Sequence, residues 1–143
     1  LYIEIIQNGN KDIKEGAVFN ETGIIGQVVN NKSYYEVMLL TDTKSSIPLT
    51  NSKENFYCNA LGSGVSGYIT CSYNQLVWSY DHELGEKFFS SGLGGIYPKG
   101  IEIGKLESKK IIDPSTTLLK IKLISNPLHS SLFGVIKLWW IAY

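Results

Sequence analysis

Arginine is missing from the 143-residue sequence: all 13 basic side chains are lysine, balanced by 13 acidic ones to zero net charge. Guanidinium groups are the ones that grip phosphates and guanine edges with two parallel hydrogen bonds. The lysines are also scattered, with only Lys109 and Lys110 adjacent, so a nucleic-acid partner is disfavoured. Histidine and cysteine are scarce, at two each. At no point do they fall at the spacing of a zinc site, and no EF-hand loop gathers the carboxylates. A serine or cysteine nucleophile would need an imidazole and an orienting acid. His82 follows Asp81 directly and reads as a turn, while His129 reads as an exposed loop or helix-start residue. Catalytic, cofactor and metal sites are therefore all expected to be absent. No apolar run approaches the ~18 residues of a membrane helix; the longest, VIKLWWIAY, is interrupted by Lys137. Helical periodicity is nearly absent too, the best candidate being NPLHSSLF, with Asn126 as cap and Pro127 at the first helical position.

What is present is strand signal. LYIEIIQ, AVFN, GIIGQVV, YYEVMLL, SIPLT, FYCNAL, GYITCSY, LVWSY, KFFSS, IEIGKLES, LLKIKLIS and VIKLWWIAY are short and rich in β-branched and aromatic residues. Turn clusters such as NGNKD, NETG, NSKEN and DPSTT separate them. About twelve short strands at this spacing indicate an all-β sandwich or barrel. A chain of this length suits one domain or two small lobes, with crossings near TDTKSS and again near ESKKIIDPS. It opens at Leu1 in strand pattern, as a piece excised from a longer protein would.

Both cysteines sit in FYCNALGSGVSGYITCSY, a predicted hairpin. If Gly64 and Val65 form a two-residue turn with glycine first, Ser63 faces Ser66 and Cys58 falls opposite Cys71 in a non-hydrogen-bonded pair. A Cys58–Cys71 disulfide and a pair of small buried thiols are both consistent with that register. The same stretch contains GSGVSG, which satisfies the dinucleotide pattern G-x-G-x-x-G. That pattern must open a helix inside a βαβ unit, and a strand follows here, so it reads as a turn.

Aromatic residues are plentiful: nine tyrosines, five phenylalanines and three tryptophans. Most belong to the core. Tyr34, Tyr35, Phe89 and Tyr97 each lie beside a turn and are the candidate partner-binding anchors, with core packing as the alternative for each.

Residues 90–104, SSGLGGIYPKGIEIG, concentrate five glycines around one proline. Such a cluster makes either a phosphate cradle or a structural corner, and the alternating IEIGKLES after it is a strand, which favours the corner.

This stretch, extended to Leu106, resembles the C-terminal signature of the MreC family of rod shape-determining proteins, T-S-G-L-G-G-[IV]-F-P-x-G-[IL]-x-[IV]-G-x-V. NGNKDIKEGAVFNETGIIGQVV and LLTDTKSSIPL are similar to earlier family segments in the same order, so the likeness covers nearly the whole chain. Ser90 stands where threonine is usual, Tyr97 for phenylalanine, Leu106 for valine, and Glu86 for the aspartate of a preceding G-D. The cysteines are not part of the pattern.

The resemblance implies an extracytoplasmic, non-catalytic domain of two small β-barrel-like lobes, distantly similar in shape to trypsin-like proteases. With the crossings above, lobe one is expected over about residues 1–45 plus 109–143 and lobe two over 46–108. It also implies a scaffold of the cell-elongation complex that organises peptidoglycan synthesis. Such a scaffold self-associates as a homodimer or filament and contacts the elongation-specific transpeptidase penicillin-binding protein, MreD and the MreB system. Its anchor would be an N-terminal membrane helix preceding this chain. Within it, Gly92, Gly94 and Gly95 would turn the chain between two strands at the lobe boundary, Pro98 would stiffen the exit and Gly100 would close the bend. A degenerate hydrolase of trypsin-like shape and a glycan-binding β module are the alternative readings.

Overall fold

A computed structural model describes residues 1–4, 15–31, 34–78, 81–129 and 132–136. These residues form eleven strands and no helix: β1 (Tyr2–Glu4), β2 (Ala17–Asn20), β3 (Gly23–Asn31), β4 (Tyr34–Leu39), β5 (Ser46–Asn51), β6 (Tyr57–Gly62), β7 (Tyr68–Asn74), β8 (Lys87–Ser90), β9 (Glu102–Asp113), β10 (Thr116–Leu123) and β11 (Gly134–Ile136). Six close into an antiparallel barrel in the order β10-β7-β6-β5-β8-β9, and the other five make a sheet ordered β1-β4-β3-β2-β11. The all-β expectation holds.

Alternation explains the barrel. Ile47 and Leu49 of β5, Phe88 and Ser90 of β8, and Thr117, Leu119 and Ile121 of β10 are buried at every second position, the period at which side chains return to one face of a strand. Phe56, Ala60, Ile69, Cys71, Tyr97, Ile103 and Leu106 complete that core. Ala17, Ile24 and Leu40 join it from the sheet. On the sheet's other face Val18, Ile25, Val28, Tyr35 and Val37 pack with Phe133 and Val135. The sheet is thus buried on both sides.

The chain leaves the sheet at residues 40–45, where TDTKSS was expected to cross. Asp42 organises that turn, accepting from the amide of Lys44 at 2.8 Å through its carboxylate and from that of Ser45 at 2.8 Å through its carbonyl. Gly62 lets the crossing lie flat on β6, since a Cβ there would clash with the Asp42 carbonyl.

Five expectations are corrected. ESKKIIDPS is not a crossing: β9 continues through it to Asp113, turns at Pro114 and Ser115, and pairs back along β10. Residues 109–123 therefore belong to the barrel and not to the first lobe, and the return to the sheet falls between β10 and β11. The first lobe is a sheet of five strands among the described residues, while only the second unit closes as a barrel. LVWSY forms no strand in its described part, because Leu76 and Val77 sit in a turn begun by Asn74, whose side chain accepts from the Leu76 amide at 2.8 Å. NPLHSSLF supplies a single turn, in which Asn126 caps the Leu128 amide at 3.0 Å as a helix cap would, but no helix follows over residues 127–129.

The fifth concerns the β6–β7 hairpin. Ala60 pairs with Cys71 and Gly62 with Ile69, so the connection is the five residues 63–67 and not a two-residue turn. Its ends are engaged elsewhere: the Gly64 amide donates to the Thr41 carbonyl at 2.9 Å and the Leu123 amide to the Gly67 carbonyl at 2.9 Å. Ser63 ties the loop across, donating to the Tyr68 carbonyl at 2.5 Å. The pairing is displaced by two residues from the sequence expectation. Cys58 and Cys71 nevertheless form a disulfide, as diagonal neighbours with Cα atoms 6.3 Å apart, inside the usual range. The parts of LYIEIIQ and VIKLWWIAY beyond β1 and β11 lie outside the described residues.

Candidate functional site

The glycine-dense loop is a connection within the barrel, joining β8 to its neighbour β9. Gly92, Gly94, Gly95 and Gly100 all have φ between 74° and 85°, the left-handed region that an L side chain adopts only at a cost. At Gly92 a side chain would also meet Lys99, with Cβ atoms 2.8 Å apart. Ser90, fully buried, fastens the loop. Its hydroxyl donates to the Pro98 carbonyl and accepts from the Ile101 amide at 3.0 Å, while its main chain bonds Ile101 and Gly100, each at 2.8 Å. Pro98 and Ile101 at the loop's far side line a small groove with Phe19, Ile24 and Ile136 of the sheet. The loop therefore touches the boundary between the two units without crossing it.

The aromatic candidates divide. Tyr97 is 2% exposed and Tyr35 is 7% exposed, so both are core residues and neither is an anchor. Burial pushes the Tyr97 phenol well above its ordinary value, with the adjacent Ser45 hydroxyl pulling the other way. Each lies on the inward side of its element, and proximity to a turn in sequence did not distinguish inside from outside. Tyr34 is exposed at the start of β4, and Phe89 is half-buried beside Thr50, Glu54 and Lys99. The four do not form one patch.

A concavity lies at the end of the barrel where β9 runs towards its turn into β10. It measures about 780 Å³ and is lined by Tyr73, Leu76, Trp78, His82, Lys109 and Ile111, among others. His82 is not a surface turn residue: it is 1% exposed. Its ring stands edge-on to Phe56 at 4.4 Å and to Tyr73 at 5.4 Å, and its Nδ1 meets Glu86 Oε1 at 3.0 Å. Lys109 crosses the mouth, donating to the His82 carbonyl at 2.6 Å and to Asp81 at 3.1 Å. Thr117 and Gln75 are joined by a side-chain hydrogen bond, and Gln75 reaches the Pro114 carbonyl at 2.7 Å. Burial raises the Tyr73 phenol, opposed by its hydrogen bond with Thr117. Two exposed aliphatic side chains belong to its lining, Leu76 at 77% and Ile111 at 70%. Sequence reasoning missed this site because its residues come from three distant segments. The one local signal was His82 with Glu86 four positions on.

These features define a two-unit β domain, a barrel against a sheet, with an apolar-rimmed groove at the barrel end where β9 turns into β10. Its sequence matches the profile "Rod shape-determining protein MreC, barrel core" over residues 3–136. The chain belongs to the MreC family. It is 32% identical over 110 residues to the cell shape-determining protein MreC of Haemophilus influenzae, covering 73% of this chain and 30% of that protein. The chain thus spans less than a third of that relative's length. The crystal structure of MreC from Pseudomonas aeruginosa superposes with a TM-score of 0.67 at 25% identity, covering 76% of this chain and 70% of that one. A chain from the complex between penicillin-binding protein PBP2 and MreC of Helicobacter pylori gives 0.62 at 15% identity over 86% and 85%. The major periplasmic domain from the cell shape-determining filament MreC gives 0.58 at 20% identity over 76% and 68%.

Proposed function

We propose that this chain is the barrel core of a non-catalytic scaffold of the bacterial cell-elongation complex, needed for rod shape and organising peptidoglycan synthesis. The observation that carries the reading is the family match across almost the whole described fold. The complex of an MreC with PBP2 supports the elongation-specific transpeptidase as its partner. MreD, the MreB system and further copies of the protein, as a homodimer or filament, complete the proposed assembly. Its place is on the outer face of the cytoplasmic membrane, held there by an N-terminal helix of the longer protein.

The test is an affinity measurement between this domain and the ectodomain of its own organism's transpeptidase at low and moderate salt. A saturable complex is expected. Failure to bind at every salt concentration would remove the partner claim.

One observation favours the hydrolase alternative, the buried imidazole of His82 against the Glu86 carboxylate. The surroundings argue for packing: the ring is wedged among Phe56, Tyr73 and Phe88, and both cysteines are consumed in their disulfide. Labelling of the purified domain by a fluorophosphonate probe would revive that alternative, and no labelling is expected.

A further inference from the structure

Beside the C-terminal half of β9 the barrel wall has no second neighbour among the described residues, for a reason visible in strand lengths. β9 has twelve residues and its neighbour β8 has four. Pairing between them runs only from Phe89 with Glu102 to Lys87 with Lys105. Two further main-chain bonds prolong the contact, Leu106 with Glu86 at 2.8 Å and Gly85 with Leu106 at 2.8 Å. Beyond that point β9 keeps its partner β10 on one side, through Asp113, and among the described residues nothing bonds its main chain on the other. Residues 107–113 are all exposed. This is a free strand edge seven residues long, beyond the reach of the short β8.

Unpaired main-chain donors and acceptors in a row are a template for another strand. The side chains agree. Lys109 and Ile111 pair with Leu119 and Thr117, both buried, and directly opposed residues share a face. They therefore project over the groove floored by Tyr73, Trp78 and His82. On that side the gap is spanned by a lysine side chain reaching the His82 carbonyl and not by main-chain bonds. Neighbouring strands lie about 4.8 Å apart, so one inserted strand would need about twice that separation between its flanks.

We propose that β9 residues 107–113 form a strand-addition site that takes an extended segment of a partner protein. Its alternate side chains would be apolar, one of them entering the groove over Trp78 and His82. The exposed aliphatic groups of Leu76 and Ile111 would flank that residue. Lys109 and Lys110 favour an acidic residue beside it, with Lys109 exchanging its bond to the exposed Asp81 for one to the guest. The guest strand extends the barrel wall where β8 stops. Main-chain bonds supply the affinity and the groove supplies the selectivity.

This rests on the proposed transpeptidase contact, and the experiment separates the two. Amide hydrogen exchange is measured on this domain with and without saturating transpeptidase ectodomain, alongside affinities of Ile111→Ser, Leu76→Ser and the distant exposed control Val65→Ser. Protection at alternate amides within 107–113 is expected. A loss of affinity of about tenfold or more is expected for the first two variants, with none for Val65→Ser. Binding with unchanged exchange across 107–113 overturns the strand-addition site and leaves the scaffold reading standing. Absence of binding by the unaltered domain overturns the scaffold contact and the site together. All four proteins are compared by thermal melting, and the three substituted side chains are surface-exposed, at 70%, 77% and 58%, so folding is expected to be retained.

Discussion

Ser90 is the residue on which the glycine loop depends. Its fully buried hydroxyl serves the Pro98 carbonyl and the Ile101 amide. Ser90→Ala leaves both unsatisfied and is expected to cost about 1–3 kcal/mol in urea denaturation. Ser90→Thr keeps the oxygen and should fall well below that loss; the family pattern that places threonine here fits a position chosen for its hydroxyl. An alanine variant as stable as the parent would show that the loop is held by its glycines alone. At this scale the sequence was legible where backbone chemistry is local: the glycine corner could be anticipated from composition, and four of its glycines take the left-handed conformation. Side-chain destination was not. Tyr34 and Tyr35 are adjacent and share their chemistry, yet one is exposed and the other is core. What separates them is strand alternation relative to a core that no local pattern announces. His82 is buried for the same kind of reason, since Phe56, Tyr73 and Phe88 reach it from segments on either side in sequence.

At the scale of the element, strand existence was readable and strand partnership was not. Eleven of the twelve expected segments contain a strand in their described parts or in full, because β-branched and aromatic alternation is a property of each segment alone. The β6–β7 register failed because tertiary bonds to Thr41 and Leu123 hold the loop open, and no turn residue reports those. The disulfide formed across that hairpin joins cysteines 13 apart. Closing a loop of this size restricts the unfolded chain and contributes about 3 kcal/mol in the loop-entropy view. The double variant Cys58→Ser/Cys71→Ser is expected to lose about that much in equilibrium denaturation, with added reductant bringing the parent to the same midpoint. A midpoint insensitive to reductant would mean that the bond adds nothing to stability.

The β9–β10 hairpin carries a pH prediction. Asp113 accepts from the Ser115 amide at 2.8 Å and its hydroxyl at 3.0 Å, and these bonds hold its carboxyl below the ordinary value of 3.8. A folded-state value lower than the unfolded one stabilises the protein above the ordinary carboxylate range, and that gain is lost as pH falls through the lowered value. Asp113→Ala should therefore melt below the parent at neutral pH, with the difference shrinking as the solution is acidified through and below pH 3.8. A difference that stays constant with pH would assign the effect to the turn's geometry and not to its charge.

For the whole molecule, the question is whether barrel and sheet are one folding unit or two. Ala17, Ile24 and Leu40 of the sheet segment sit within the barrel's own core cluster, and Gly62 allows the crossing to press against β6. Neither the strand pattern nor the crossings indicated a shared core; the sequence reading divided the chain at 109, inside what is the longest strand. A shared core couples the two, because opening the sheet exposes apolar surface belonging to the barrel. Leu40, 2% exposed at the seam, tests the coupling. Leu40→Ala is expected to cost about 2–5 kcal/mol and to lower a single calorimetric transition whose van't Hoff and calorimetric enthalpies agree. If the variant instead splits the melt in two, with the disulfide-bearing barrel persisting to the parent's temperature, the sheet is an appended layer. A scaffold that must hold the groove end of its barrel at a fixed orientation relative to the sheet requires the single transition.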